Sequence, residues 1–102
     1  MAVYEDEIRA NARLVILKAL AAEHNESLHS GFLAKQLMNL WIDRPREWLH
    51  SELDWLAEIG VVTLLKPAGS SVWIATLTEK GARHLRRSII IEGIDRPSRP
   101  GV

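Results

Sequence analysis

The chain contains no cysteine, which excludes disulfides, thiolate zinc sites and thiol catalysis at once. It also lacks any apolar run approaching the roughly 20 residues of a membrane span, so no membrane partner is expected. Net charge is missing as well: thirteen basic and thirteen acidic side chains cancel. No global field draws the chain toward nucleic acid or an anionic surface. The opening Met1-Ala2-Val3-Tyr4-Glu5-Asp6-Glu7 is acidic. It has none of the basic-then-apolar order of a signal peptide, and the cytoplasm is the expected location. There are no internal repeats.

Catalytic signatures are absent in the same way. The histidines are His24, His29, His50 and His84; no two have the i, i+4 spacing of a helical zinc pair. They read as surface or capping residues. The serines lack the Gly-x-Ser-x-Gly context of a strained nucleophile. The glycines are scattered and form no phosphate cradle. Acidic pairs such as Glu52 and Asp54 read as a solvated helix face. No enzyme, metal or cofactor is expected.

What is present fits one ordinary globular domain. The chain has 102 residues, 47% apolar and 25% charged, enough for one modest core. The cancelled charge hides a gradient. Residues 1–43 carry −2, residues 44–81 carry −1 and residues 82–102 carry +3. The positive end holds Arg83, Arg86, Arg87, Arg96 and Arg99.

The most informative stretch is Trp48 to Gly81. An amphipathic pattern runs to Ile59 and stops at Gly60. Val61 to Leu65 is β-branched and apolar and reads as a strand. Lys66-Pro67-Ala68-Gly69-Ser70-Ser71 holds turn residues. Val72 to Leu77 reads as a second strand, and Thr78-Glu79-Lys80-Gly81 opens another helix. Helix, glycine, hairpin and then Leu-Thr-x-x-Gly form the second half of a winged helix, in which the hairpin is the wing.

The rest of the chain agrees with that architecture. Residues 5–23 read as a first helix. Ile8, Ala12, Val15, Ile16, Ala19 and Leu20 form its stripe, and Leu14 and Leu17 widen it. A helix apolar over so wide an arc is central in the core or shared with a second subunit. Ser27 or Ser30 is placed to cap the next helix, and a short strand at Ser27 to His29 is expected to join the wing. Phe32, Leu33, Leu37, Leu40 and Trp41 give the second helical stripe. Helix three covers about 44–59, with Asp43 as N-cap or Arg44 preceding Pro45 at the first helical position. Leu49, Leu53 and Leu56 face the core; Glu47, Ser51, Asp54 and Glu58 face away. After residue 88 a tail begins whose Ile89-Ile90-Ile91 should dock, and which is irregular from Gly93 on.

Four tryptophans in a chain this short are unusual. Trp41 and Trp73 read as core and wing-base packing. Trp48 and Trp55 either cover the flank of helix two or form a partner-binding ridge; Ile89, Ile90 and Ile91 are a separate apolar candidate for docking on the domain or on another subunit.

Four segments together resemble a known family. They are Arg13-Leu14-x-Ile16-Leu17-x-x-Leu20-Ala21, then Leu53-Asp54-Trp55-Leu56-Ala57-Glu58-x-Gly60-Val61-Val62-Thr63, then Ala75-Thr76-Leu77-Thr78-x-x-Gly81, then Gly93-Ile94-x-Arg96-Pro97-Ser98. In this order they resemble small Mu-like bacteriophage and prophage proteins, related in fold to ArsR-like winged-helix regulators. The resemblance implies a bacterial host and a setting among phage head and packaging genes.

Two functions fit. In the first, the chain binds double-stranded DNA as a regulator. Arg44, Arg46, His50 and Ser51 on helix three would approach the bases, Lys66 on the wing would reach backbone, and Arg83, Arg86, Arg87, Arg96 and Arg99 would supply most phosphate contacts. In the second, it is an interaction module for a phage protein in assembly or DNA packaging. Either way the wide apolar arc of helix one and the isoleucine run suggest a homodimer.

Overall fold

The computed structural model describes residues 2–98, which form four helices and three strands in the order α1 (Ala2–Ala21), β1 (Ser27–His29), α2 (Ser30–Met38), α3 (Arg46–Glu58), β2 (Val62–Leu65), β3 (Ile74–Leu77) and α4 (Glu79–Leu85). This is a four-helix α/β domain with a small antiparallel sheet, an arrangement compatible with a winged helix.

Helix α1 is central. Ala12, Ile16, Leu17 and Leu20 are fully buried and Leu14 nearly so, against α2, α3, α4, β1 and β3. The wide apolar arc is thus covered within one chain, and it gives no reason of its own for a second subunit.

The sheet order is β1-β3-β2, antiparallel throughout. The short strand at Ser27–His29 forms as expected, pairing Leu28 with Ala75. Its Ser27 hydroxyl lies 2.6 Å from that of Thr76. The hairpin is shorter than expected: Val72 and Trp73 lie in the loop before β3, and Val72 is exposed.

The helix ends follow local chemistry. Neither Ser27 nor Ser30 caps α2; His29 does, its Nδ1 accepting from the Phe32 N–H at 3.0 Å. Helix α3 starts later than both expected registers, by two residues relative to an Asp43 cap and by one relative to Pro45 at the first helical position. Pro45 itself holds the N-cap position, in extended backbone and with no side-chain cap. At the far end, the Val61 N–H returns to the Leu56 carbonyl and the Gly60 N–H to that of Ala57. Gly60 takes φ +87, the left-handed turn that glycine allows without a Cβ clash. Val61 and Leu56 are both fully buried, the apolar contact that accompanies this turn.

The Leu-Thr-x-x-Gly segment has three separate physical jobs. Leu77 is buried in the core. The Thr78 hydroxyl accepts from the Gly81 N–H at 3.3 Å, capping α4, and donates to the Gly60 carbonyl at 2.6 Å. Gly81 admits no side chain: a Cβ there would sit 2.5 Å from the Val61 carbonyl oxygen and 2.7 Å from Leu77 Cδ1. Gly81→Ala should therefore destabilise by about 1–3 kcal/mol through overpacking. An unchanged urea midpoint would mean that α4 does not approach β2 so closely.

The tail docks, but not where expected. Ile90 is exposed and Ile89 and Ile91 are half-buried. The anchors are Ile94, which enters the core cluster, and Pro97. Polar contacts fix this segment: the Asp95 N–H to the Ala10 carbonyl at 3.1 Å, Arg13 to the Gly93 carbonyl at 3.0 Å, Arg87 to the Pro97 carbonyl. The ring of fully buried His84 lies 2.9 Å from the Asp95 carbonyl. Of the three consecutive isoleucines, Ile89 and Ile91 pack in part against the chain and Ile90 between them does not.

Candidate nucleic-acid interface

Helix α3 divides as its periodicity dictates. Leu49, Leu53 and Leu56 are buried, and Glu47, Ser51, Asp54 and Glu58 are exposed. The residues at its flank are committed to contacts within the chain. His50 stacks on Trp73, with ring centroids 3.8 Å apart and planes within 6°. Lys66 pairs with Asp54 at 2.8 Å and lies over the Trp73 ring at 4.2 Å. The hairpin lysine thus offsets one acid of the α3 face.

At the N-terminal end of α3 a groove of about 280 Å³ opens. Three elements meet there: Ser30 and Gly31 of α2, Arg44 and Arg46 at the entrance to α3, and Ser71 and Val72 of the hairpin loop. They converge because the Ser30 N–H bonds to the Trp73 carbonyl at 2.7 Å and the Ser30 hydroxyl accepts from the Trp73 N–H at 3.0 Å. The two arginines differ. Arg44 is held by Glu5 at 3.2 Å, and the Trp48 indole N–H donates to the other Glu5 oxygen at 3.0 Å. The Arg44 hydrogen bond, then that of Trp48, holds the Glu5 carboxyl below its ordinary range. Arg46 is exposed and makes no ion pair among the described residues.

Among the described residues the C-terminal arginines do not join this groove. Helix α4 begins against the other end of α3, through Thr78 to Gly60 and through the Lys80 ammonium to the Ile59 carbonyl at 2.6 Å. At about 1.5 Å per residue, the length of α3 puts about 20 Å between the two ends. Arg86 pairs with Glu79 at 2.8 Å, and Arg87 is half-buried over the tail. Arg83 and Arg96 are exposed and unpaired among the described residues. Arg99 lies outside the described residues.

Sequence reasoning missed two features. Glu52, read as part of a solvated face, is buried at 4% exposure. It lies three residues after Leu49, on the flank of α3 that meets α1, where Arg13 bonds it at 2.6 Å. Trp41, read as core, is 93% exposed. The second helix stops at Met38, so the stripe does not carry Leu40 and Trp41 inward. Trp48 and Trp55 are half-buried against the core. Trp55 lies against Gly93, with the Arg13 guanidinium 3.8 Å from its ring centroid. Of the two readings of these tryptophans, packing within the chain accounts for part of their surface, through Glu5 and Arg13 of α1 and Gly93 of the tail.

Among the described residues no group of three or more His, Asp or Glu side chains is placed to hold a metal ion, and no helix is long and apolar enough to cross a membrane. No family model, no curated protein and no solved structure matches this chain.

Proposed function

We propose that this chain is a winged-helix protein of phage or prophage type that binds double-stranded DNA, with the groove at the start of α3 as its contact site. The observation that supports this most is the convergence of α2, α3 and the hairpin loop on Arg46, an arginine with no carboxylate partner among the described residues. In this reading the hairpin is the wing, Arg46 reaches a phosphate or base edge, and Arg44 is held ready beside it by Glu5. The exposed acids Glu47, Asp54 and Glu58 oppose close approach along the rest of the helix. Contact is therefore confined to the N-terminal end, so affinity is modest and the salt slope shallow, set by the few phosphates neutralised there. Pairing of two copies keeps one free apolar residue of the isoleucine run, Ile90, in its support.

A salt titration tests the proposal. A mixed-sequence duplex of about 30 base pairs should bind at about 20 mM salt, and each neutralised phosphate should add about 0.9 to the log–log slope. Arg46→Ala should flatten that slope by about one unit, whereas Arg86→Ala, already matched by Glu79, should leave it alone. A slope that responds to Arg83→Ala and Arg96→Ala instead would move the site to the other end of the domain. No binding by the parent at low salt would discard DNA as the ligand.

A second reading, a protein-interaction module in phage assembly or packaging, is favoured by a different surface, the one around Trp41.

A further inference from the structure

The turn after α2 carries a residue that folding does not ask for. The Ile42 N–H returns to the Leu37 carbonyl at 3.0 Å and the Trp41 N–H to that of Met38 at 2.9 Å. This pair of bonds closes a helix through a left-handed residue, which is ordinarily glycine. Here that residue is Trp41, at φ +64, a conformation that costs a bulky side chain strain. The indole gains no burial in return, since it is 93% exposed. The same turn in α3 is closed by Gly60, so this chain uses glycine there and an unburied tryptophan here.

The surroundings form a surface of definite character. Tyr4, Met38 and Leu40 are exposed beside Trp41. A cleft of about 330 Å³ runs between the start of α1 and this turn, walled by Tyr4, Ile8, Leu40, Trp41 and the carboxylate-bearing Glu7. Contiguous exposed apolar side chains of this kind mark interaction sites. Among the described residues no lysine or arginine lines the cleft. Glu7, and Asp43 just after Ile42, are exposed and make no ion pair among the described residues. An aromatic face beside free carboxylates suits a guanidinium or ammonium group carried on an apolar segment. A second copy of this chain fits less well. Two-fold pairing brings the same patch of both subunits together, and among the described residues this patch carries the Glu7 carboxylate and no basic group to meet it.

From this we infer that the Trp41 cleft docks an arginine- or lysine-bearing apolar segment of another protein, independently of the DNA-binding groove. Trp41 supplies the cation–π face, Glu7 the countercharge, and Tyr4, Ile8 and Leu40 the apolar floor.

The test uses the full chain and a short labelled peptide alternating leucine with arginine, followed by fluorescence anisotropy. The same peptide with neutral citrulline for arginine is the control. The parent should bind the arginine peptide saturably and the control at least about tenfold more weakly. Trp41→Gly should weaken binding by about tenfold while melting at or above the parent temperature, because glycine suits the left-handed turn. Glu7→Gln should weaken binding and reduce its salt dependence, and Arg46→Ala should leave it unchanged. Absence of saturable binding by the parent, equal binding of the citrulline peptide, or undiminished binding by Trp41→Gly overturns the inference. So does a Trp41→Gly melting temperature well below the parent's, which would make the indole structural. Light scattering that finds a dimer dissolved by Trp41→Gly would assign the cleft to a second copy and overturn it too.

Discussion

Glu52→Ala should destabilise the domain by about 3–5 kcal/mol, the cost of removing one partner from a buried ion pair. The Glu52 side chain is 5% exposed and that of Arg13 12%, with Arg13 Nε 2.6 Å from Glu52 Oε1. The other carboxylate oxygen lies 3.6 Å from Arg9 Nε. Without Glu52, Arg13 stays beneath Trp55, bonded to the Gly93 carbonyl, as a nearly buried cation with no countercharge. A chain of this size has about 5–15 kcal/mol in total, so the loss is a large share of it. The melting temperature should fall by more than about 10 °C. Replacing both members, as in Arg13→Met with Glu52→Leu, should recover at least half of the loss, because an apolar pair carries no desolvation penalty. If the double variant is no better than Glu52→Ala, the ion pair is not the source of the effect. The arginine's hold on the tail would then be the cause.

Leu53→Ala should cost about 2–5 kcal/mol by urea unfolding. Leu53 is fully buried in the cluster that also contains Ile16, Leu17 and Leu20 of α1 and Leu56 and Val61 beside it. Truncation removes apolar atoms from contact and leaves a cavity whose walls belong to different elements, so they cannot all close on it. Leu65→Ala is the matched control. Leu65 is 60% exposed, and its truncation should stay within about 0.5 kcal/mol. A Leu53→Ala protein that melts within about a degree of the parent would place the α3 core stripe on the wrong face.

The elements legible in the sequence are those set by residues close together along the chain. Gly60 ends α3 because only a residue free at positive φ closes that turn cheaply. Thr78 caps α4 through a bond to a residue three positions on. The leucine stripe of α3 points inward at any helix length, because the 3.6-residue period alone sets the face. The hairpin follows from apolar, β-branched runs bounded by turn residues.

The features that only the tertiary structure decided are those whose partners lie far along the chain. Glu52 looks like any surface acid until Arg13, thirty-nine positions away, arrives beside it. The arginines of α3 and α4 share a sign, but the length of α3 keeps their ends apart. Trp41 fits the stripe of α2 as a pattern, yet the helix closes before reaching it. Periodicity fixes the direction in which a side chain leaves a helix and not where the helix stops or what waits opposite. A charge is buried only when a distant countercharge offsets its desolvation, and an apolar residue is buried only when another element comes to cover it. Both depend on packing between elements, which no local window of the sequence contains.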